Sequence, residues 1–532
     1  MTGFDARGRA ARWVGGVVVL ALAGGATALG IALPRAEVTT SAATEVDVPA
    51  GTTSLVCPGP LTLPEESGAG GSAFSRVPVD PVQRVTALDV SGASAGTLTP
   101  LGSDVTALSG GFVTLRDPSA PSVLSAPAQD GQTARIVGTT SALTTDGDLR
   151  GLAAGGCTTA VSDVWLVGGS TELESTADLV LVNPGATTAQ VALTMWGPAG
   201  EVDLSTSADV LVAPRSSRTV VLPGVAAEQR RIVVHAQASG GQISGYLQDS
   251  LLDGLTPQGT DLVTAGTAPA TEQVVPGLML EETAVDDPDA AQLRLVAPGD
   301  ADTTVSVTLI GPDGEVQLSG AQDLRLDAGI VTDLSLGGLP AGAYTAVIEA
   351  DQPVVAGAMV ARQGKAGEQD AVARMDRAWA ASTGTGGGLA ARPAGADGRL
   401  MLTVLAAEDQ AVTAPSTEPS PTPTQGQRPS DDDTATGPTV QVTVRAYGER
   451  GLLAERQLTV QVGSTERTDL RDLDPDTVAV EVVAPDGVEL AWSLFASTVR
   501  KDGALISVVD PVLDSTGDTT VRVRPADRAG LG

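Results

Sequence analysis

Leu179-Val-Leu-Val-Asn-Pro-Gly185 returns as Leu293-Arg-Leu-Val-Ala-Pro-Gly299, an offset of 114 residues (293 − 179 = 114). The correspondence continues downstream. Trp-Gly-Pro-Ala-Gly-Glu-Val (196–202) faces Ile-Gly-Pro-Asp-Gly-Glu-Val (310–316), and Val233, Val234 and Ala236 face Val347, Ile348 and Ala350. It then slips by two residues, since Ile243-Ser244-Gly245 matches Val355-Ala356-Gly357, as a shortened hairpin would produce. Apolar residues alternate on either side of the Gly-Pro-x-Gly turns, the period of a half-buried strand. A period this long marks a repeated β-domain, because solenoid and propeller units take only about 20–50 residues.

The whole chain has 532 residues, too many for one core and enough for three to five domains of ordinary size. Aromatic residues make up 2% of it, so its cores rest on Val, Leu and Ala. Lysine occurs only as Lys365 and Lys501, and the formal charge is −32. Such a surface repels a phosphate backbone, so nucleic acid is excluded as a partner. The plain consequence of the charge is solubility.

Residues 1–12 carry Arg7, Arg9 and Arg12, and Trp13–Leu33 then runs without a charge for a length that spans a bilayer as a helix. The expectation is an uncleaved transmembrane α-helix at 13–33, with a cytoplasmic N-terminus and the bulk of the chain extracytoplasmic. A cleaved signal peptide is the alternative, with Ser41-Ala42-Ala43 as the site a peptidase would use.

Residues 34–50 read as a spacer. The segment 51–169 is the least regular part of the chain and holds its only cysteines, Cys57 and Cys157. Outside the membrane two thiols pair, so these are expected to form a structural disulfide that closes a β-rich N-terminal domain. Two repeats follow at 170–290 and 291–395, joined by a connector over Ser250–Gln292. A third, divergent copy occupies 396–532. Its Val440–Val444 strand ends in Ala446-Tyr447-Gly448-Glu449-Arg450-Gly451, answering the Trp-Gly-Pro-Ala-Gly turn. The Pro/Ser/Thr-rich stretch 413–438 lies between two strands of that copy and reads as a disordered loop inside a domain. Each copy offers about seven short strands in roughly 100 residues. The fold class is therefore all-β, as tandem immunoglobulin-like β-sandwich domains outside the membrane.

Residues with the makings of a catalytic or metal site are few. His235 is the only histidine, in a strand position matched by Glu349, so the solvent face of a sheet is its expected place. That removes most Ser-His-Asp, Cys-His and His-zinc routes. Gly92-Ala93-Ser94-Ala95-Gly96 spells a nucleophile elbow, but the Thr-Leu-Thr-Pro-Leu-Gly behind it cannot form the required helix. With 64 Asp and Glu residues the chain has carboxylates enough for the pair that glycoside hydrolysis uses. Yet Trp165, Trp196, Trp379 and Trp492 lie scattered through the repeats and read as core or sheet-face residues rather than sugar platforms. Asp286-Asp287-Pro288-Asp289 and Asp431-Asp432-Asp433 lack the alternating spacing of a calcium loop. No catalytic residue, cofactor or metal site is assigned.

Gly-Gly-Cys-Thr-Thr-Ala-Val-Ser-Asp-Val-Trp-Leu-Val-Gly-Gly (155–169), with the Asn-Pro-Gly and Gly-Pro-Ala-Gly turns, resembles an uncharacterised family of large secreted or single-pass proteins of high-GC Gram-positive bacteria. The resemblance covers most of the chain beyond the N-terminus and carries no active residue. The functional expectation is a membrane-anchored, non-enzymatic scaffold or interaction module of the cell envelope. Its alternative is a receptor for cell-wall polysaccharide or an accessory subunit of a glycopolymer enzyme, so the partners are an envelope protein or a polysaccharide.

Overall fold

A computed structural model describes residues 44–47, 50–61, 74, 79–91, 95–318, 320–368, 370–408, 411–412, 437–514 and 520–523. The expected membrane helix, Ser94 and nearly all of the Pro/Ser/Thr-rich stretch lie outside these residues. Among the described residues no helix is long and apolar enough to cross a membrane. Strand β1 (Thr44–Asp47) pairs antiparallel with β37 (Thr520–Val523) in a unit of its own. The remaining strands form the second unit.

Four segments of that unit repeat one plan. The first comprises β2 (Thr53–Cys57), β3 (Val82–Asp89), β4 (Thr97–Pro100), β5 (Thr106–Ala107), β6 (Phe112–Arg116), β7 (Ser122–Ala126), β8 (Ile136–Thr144) and β9 (Gly151–Gly156). Its sheets run β5-β4-β7-β2 and β6-β3-β8-β9. The second comprises β10 (Asp163–Val167), β11 (Ser175–Asn183), β12 (Ala189–Gly197), β13 (Gly200–Val202), β14 (Asp209–Val212), β15 (Ser216–Val221), β16 (Val233–Ser239), β17 (Ser244–Asp253) and β18 (Thr256–Val263), followed by the short β19 (Ala265–Gly266). Its sheets run β13-β12-β16-β10-β19, with β14 on β12, and β15-β11-β17-β18.

The third comprises β20 (Ala270–Leu280), β21 (Gln292–Val296), β22 (Thr303–Gly311), β23 (Gly314–Gln317), β24 (Leu324–Leu326), β25 (Thr332–Ser335), β26 (Gly342–Gln363) and β27 (Met375–Ala381). Here β26 serves both sheets. Its first half pairs with β20 and β22, its second with β21 and β27. The fourth comprises β28 (Gly388–Ala391), β29 (Asp397–Ala407), β30 (Thr439–Gly448), β31 (Gly451–Gln461), β32 (Thr465–Asp469), β33 (Ala479–Val483), β34 (Val488–Arg500) and β35 (Gly503–Val509), then β36 (Val512–Leu513). Its sheets run β31-β30-β33-β28-β36 and β32-β29-β34-β35. In every copy the chain after the last strand returns to the first strand of that copy, through Thr158 to Val56, Gly266 to Trp165, Thr383 to Val274 and Val512 to Leu389.

The sequence reading changes in three places. The segment from Thr53 to Thr158 is a further copy of the same two-sheet plan rather than a separate type of domain, and the expected boundary at 169 moves forward because β10 (Asp163–Val167) opens the second copy. Ser250–Gln292 is no connector, since it contains β18, β19 and β20. The slip in the repeat is no shortened hairpin between β16 and β17 either: those strands lie in different sheets, β26 makes the same crossover as one continuous strand, and the pairing registers put the two-residue difference between β15 and β16.

Each sandwich is held by the inward residues of both sheets. In the second copy Leu179 and Leu181 of β11 meet Val191, Leu193 and Met195 of β12 in one cluster. The alternating burial of β12 is what places them there. Fully burying such a side chain stabilises by about 1.5–3 kcal/mol.

The copies join at their last strands. Strand β9 packs against β18, β18 against β27, β27 against β35, and β35 against β9, which closes a hub. The residues two places before the end of each strand, Ala154, Asp261, Trp379 and Ser507, converge. Asp261 accepts from the Ala154 N–H at 3.2 Å, the Ser507 hydroxyl at 2.8 Å and the Trp379 N–H at 2.9 Å. One carboxyl group thus bonds all three other copies. The hub strands approach backbone to backbone, and at Gly151 a Cβ would meet the Thr260 carbonyl oxygen at 2.6 Å. Glycine is required there for space.

Candidate functional site

Cys57 and Cys157, the site residues expected from the sequence, are joined with a Cα–Cα distance of 4.0 Å, and both are fully buried. The bond ties the end of β2 to the residue after β9, where the first sandwich meets the hub.

The hub is rich in buried carboxyl groups. Asp249 accepts from the Arg377 guanidinium at 2.9 Å and the Trp379 indole N–H at 2.8 Å. Asp376 accepts from the Ile506 N–H at 2.6 Å. Burial pushes Asp376 and Asp510 up to about 7 and raises Asp261 well above the usual carboxylate range. These groups are bonded to backbone and to neighbouring strands, and they hold the copies together. Among the described residues no group of three or more His, Cys, Asp or Glu side chains is arranged to hold a metal. The Asp286–Asp289 turn closes on itself, with the Asp289 N–H donating to Asp287 at 2.9 Å.

The open feature lies on the outer sheet of the second copy. Cross-strand pairing sets Trp165 beside His235 and His235 beside Thr194. The same place in the other copies holds Val56–Val123–Thr99, Val274–Val347–Thr308 and Leu389–Glu481–Arg445. Strand pairing therefore puts Val347, not Glu349, in the place of His235, so the two-residue slip precedes β16. Trp165 stacks on His235 with ring centres 4.0 Å apart and on Trp196 at 5.5 Å. The His235 ring bonds Asp163 through Nε2 at 2.9 Å.

Along this face run two adjoining hollows of about 460 and 400 Å³. The first is walled by Trp165, Trp196 and His235 of the second copy and by Pro298, Asp300 and Gln352 of the third. The second is lined by Asp163, Gln190, Asp209 and Gln237. Asp163 of the second hollow bonds His235 of the first. Sequence reading placed His235 on a sheet face, but left Trp165 and Trp196 scattered. Their company is set by pairing across β10, β16 and β12, which spacing alone does not reveal. Trp379 and Trp492 are core residues, bonded to Asp249 and to the Gly386 carbonyl.

A family model matches residues 113–428, more than half of the chain. The chain belongs to DUF5719, a family of unknown function. The DUF5719 match runs from β6 to the segment before β30 and so contains the second and third copies whole, the groove included. No curated protein matches the sequence. Among solved structures, the BSP domain of a biofilm-associated protein is 10% identical over 91% of this chain and 100% of that one, with a TM-score of 0.13. A Salmonella alpha-2-macroglobulin reacted with methylamine is 12% identical over 91% of this chain and 31% of that one, with a TM-score of 0.10.

Proposed function

We propose that the chain is a non-enzymatic interaction module of the cell envelope, held in the membrane by Trp13–Leu33 with its sandwiches outside. The Cys57–Cys157 bond carries this reading. Disulfides form and persist in oxidising compartments outside the cytosol, and this one is fully enclosed in the core of the first copy. The apolar segment after an arginine-bearing N-terminus supports the same orientation. We read the two-sheet units as immunoglobulin-like in layout, with their first and last strands exchanged between the sheets relative to that fold. Kinship with large secreted or single-pass proteins of high-GC Gram-positive bacteria belongs to the same proposal.

Cell fractionation tests it. The native protein is expected in the membrane fraction, digestible by protease added outside the cell wall-stripped membrane, and inert to thiol alkylation until reduced. Recovery in the cytosol with two alkylatable thiols would overturn it. The groove on the second copy favours polysaccharide over protein as the partner.

A further inference from the structure

We infer that the groove across β10, β16 and β12 of the second copy binds a neutral oligosaccharide. The inference rests on reading the chain as a binding module and names the ligand class. Internal comparison is its strongest support, because the four copies share one topology and their equivalent rows can be compared. Two copies place two valines and a threonine in the row, and the fourth places a leucine with an ion pair. Only the second places a tryptophan stacked on a histidine. The other copies fold without that pair, and in the second Trp165 and Trp196 also pack against Val296, Val331 and Val355 of the third copy while the His235 side remains open.

The chemistry of the two hollows is divided. At one end the uncovered edges of Trp165 and Trp196, which are 7% and 6% exposed, join Pro298 and Pro353 in an apolar wall for the C–H groups of a sugar ring. At the other, Gln190 and Gln237 can both donate and accept, while Asp163 and Asp209 accept. A hydroxyl group needs both kinds of partner. Gln190, Gln237 and Asp209 are exposed, so their polar atoms meet a ligand without unfolding anything. Neither hollow is lined by Lys or Arg, and three aspartates line them, which disfavours anionic polymers. A proline-rich peptide would need aromatic ridges along its whole length, and only one end supplies them. Each hollow, about 400 and 460 Å³, falls within the usual range of ligand sites.

The full chain in detergent can be titrated with cellohexaose, maltohexaose and chitohexaose while tryptophan emission is followed. Saturable change is expected with at least one sugar, at a Kd of about 1 mM or tighter. Gln237→Ala and Asp209→Ala, both on exposed positions, are expected to weaken it about tenfold each with unchanged melting. Thr304→Ala, on the outer sheet of the third copy, is expected to leave it unchanged. The inference is overturned if none of the sugars saturates by about 10 mM, if the groove variants bind like the parent, or if octaproline saturates instead. His235→Ala, with melting as the fold control, is expected to abolish the emission change and not the fold. Cytosolic recovery in the fractionation would sink the envelope reading and leave this titration standing, so the two can fail separately.

Discussion

The first and third copies follow the same strand order with very different means. In the third, Val305, Val307 and Leu309 alternate along a nine-residue strand, and the inward faces gather a broad cluster that reaches Phe495 and Ile506 of the fourth copy. In the first, the matching strand Thr97–Pro100 has four residues, and the core is a small set around Leu55, Val85, Leu98 and Leu124. Both cysteines belong to that small core. A topology can therefore persist where apolar burial is thin, provided a covalent bond and a shared hub take over part of the stabilisation.

The sharpest way to break this comparison is to remove the covalent bond. Replacing Cys57 and Cys157 together by serine is expected to destabilise the first copy by about 4–5 kcal/mol in the chain-entropy account, given the separation of 100 residues. Urea unfolding of the purified protein, with and without reductant, measures it. A loss under about 1 kcal/mol would mean that the thin core suffices.

A cavity in the broad core sharpens the same contrast. Leu309→Ala removes a fully buried side chain from the third copy, and the expected cost is about 2–5 kcal/mol. Because Asp261 bonds the second copy to the other three, both this variant and the cysteine pair are expected to lower one common unfolding transition. Two separated transitions would show that the hub does not couple the copies.

The third copy was legible in sequence because its alternation and its Gly-Pro-Asp-Gly turn match Trp196–Gly200 of the second. The first copy was not, because its third and fourth strands are too short to display a period and its turns carry no shared phrase. The disulfide was legible from compartment and count alone. The hub was out of reach: Ala154, Asp261, Trp379 and Ser507 have nothing in common as residue types, and only their place in the register unites them. The groove failed for the same reason, since Trp165, His235 and Thr194 meet across strands far apart in the chain.

The hub also carries the smallest of the expected effects, and its sign follows from burial. Asp376 is fully enclosed, and desolvation lifts its carboxyl to about 7, against about 4 in an unfolded chain. Asp510 is lifted to a similar value and Asp261 in the same direction. Below about pH 4 both folded and unfolded chains hold these protons and the contribution is complete. Between about pH 4 and 7 the unfolded chain has released them while the folded one keeps them, so stability falls as pH rises, and the loss is complete once Asp376 ionises in the fold. Glu481, Asp370 and Asp502 shift downward through their arginine or tyrosine partners, so their loss of stability falls at acid pH, outside that window. Asp376→Asn keeps an acceptor for the Ile506 N–H and carries no charge into the hub. Urea unfolding at pH 5 and pH 8 is expected to show a gap for the parent and a narrower gap for the variant, by on the order of 2 kcal/mol. Equal gaps would mean that the hub carboxylates ionise without cost, and that the contact between copies is wetter than its burial implies.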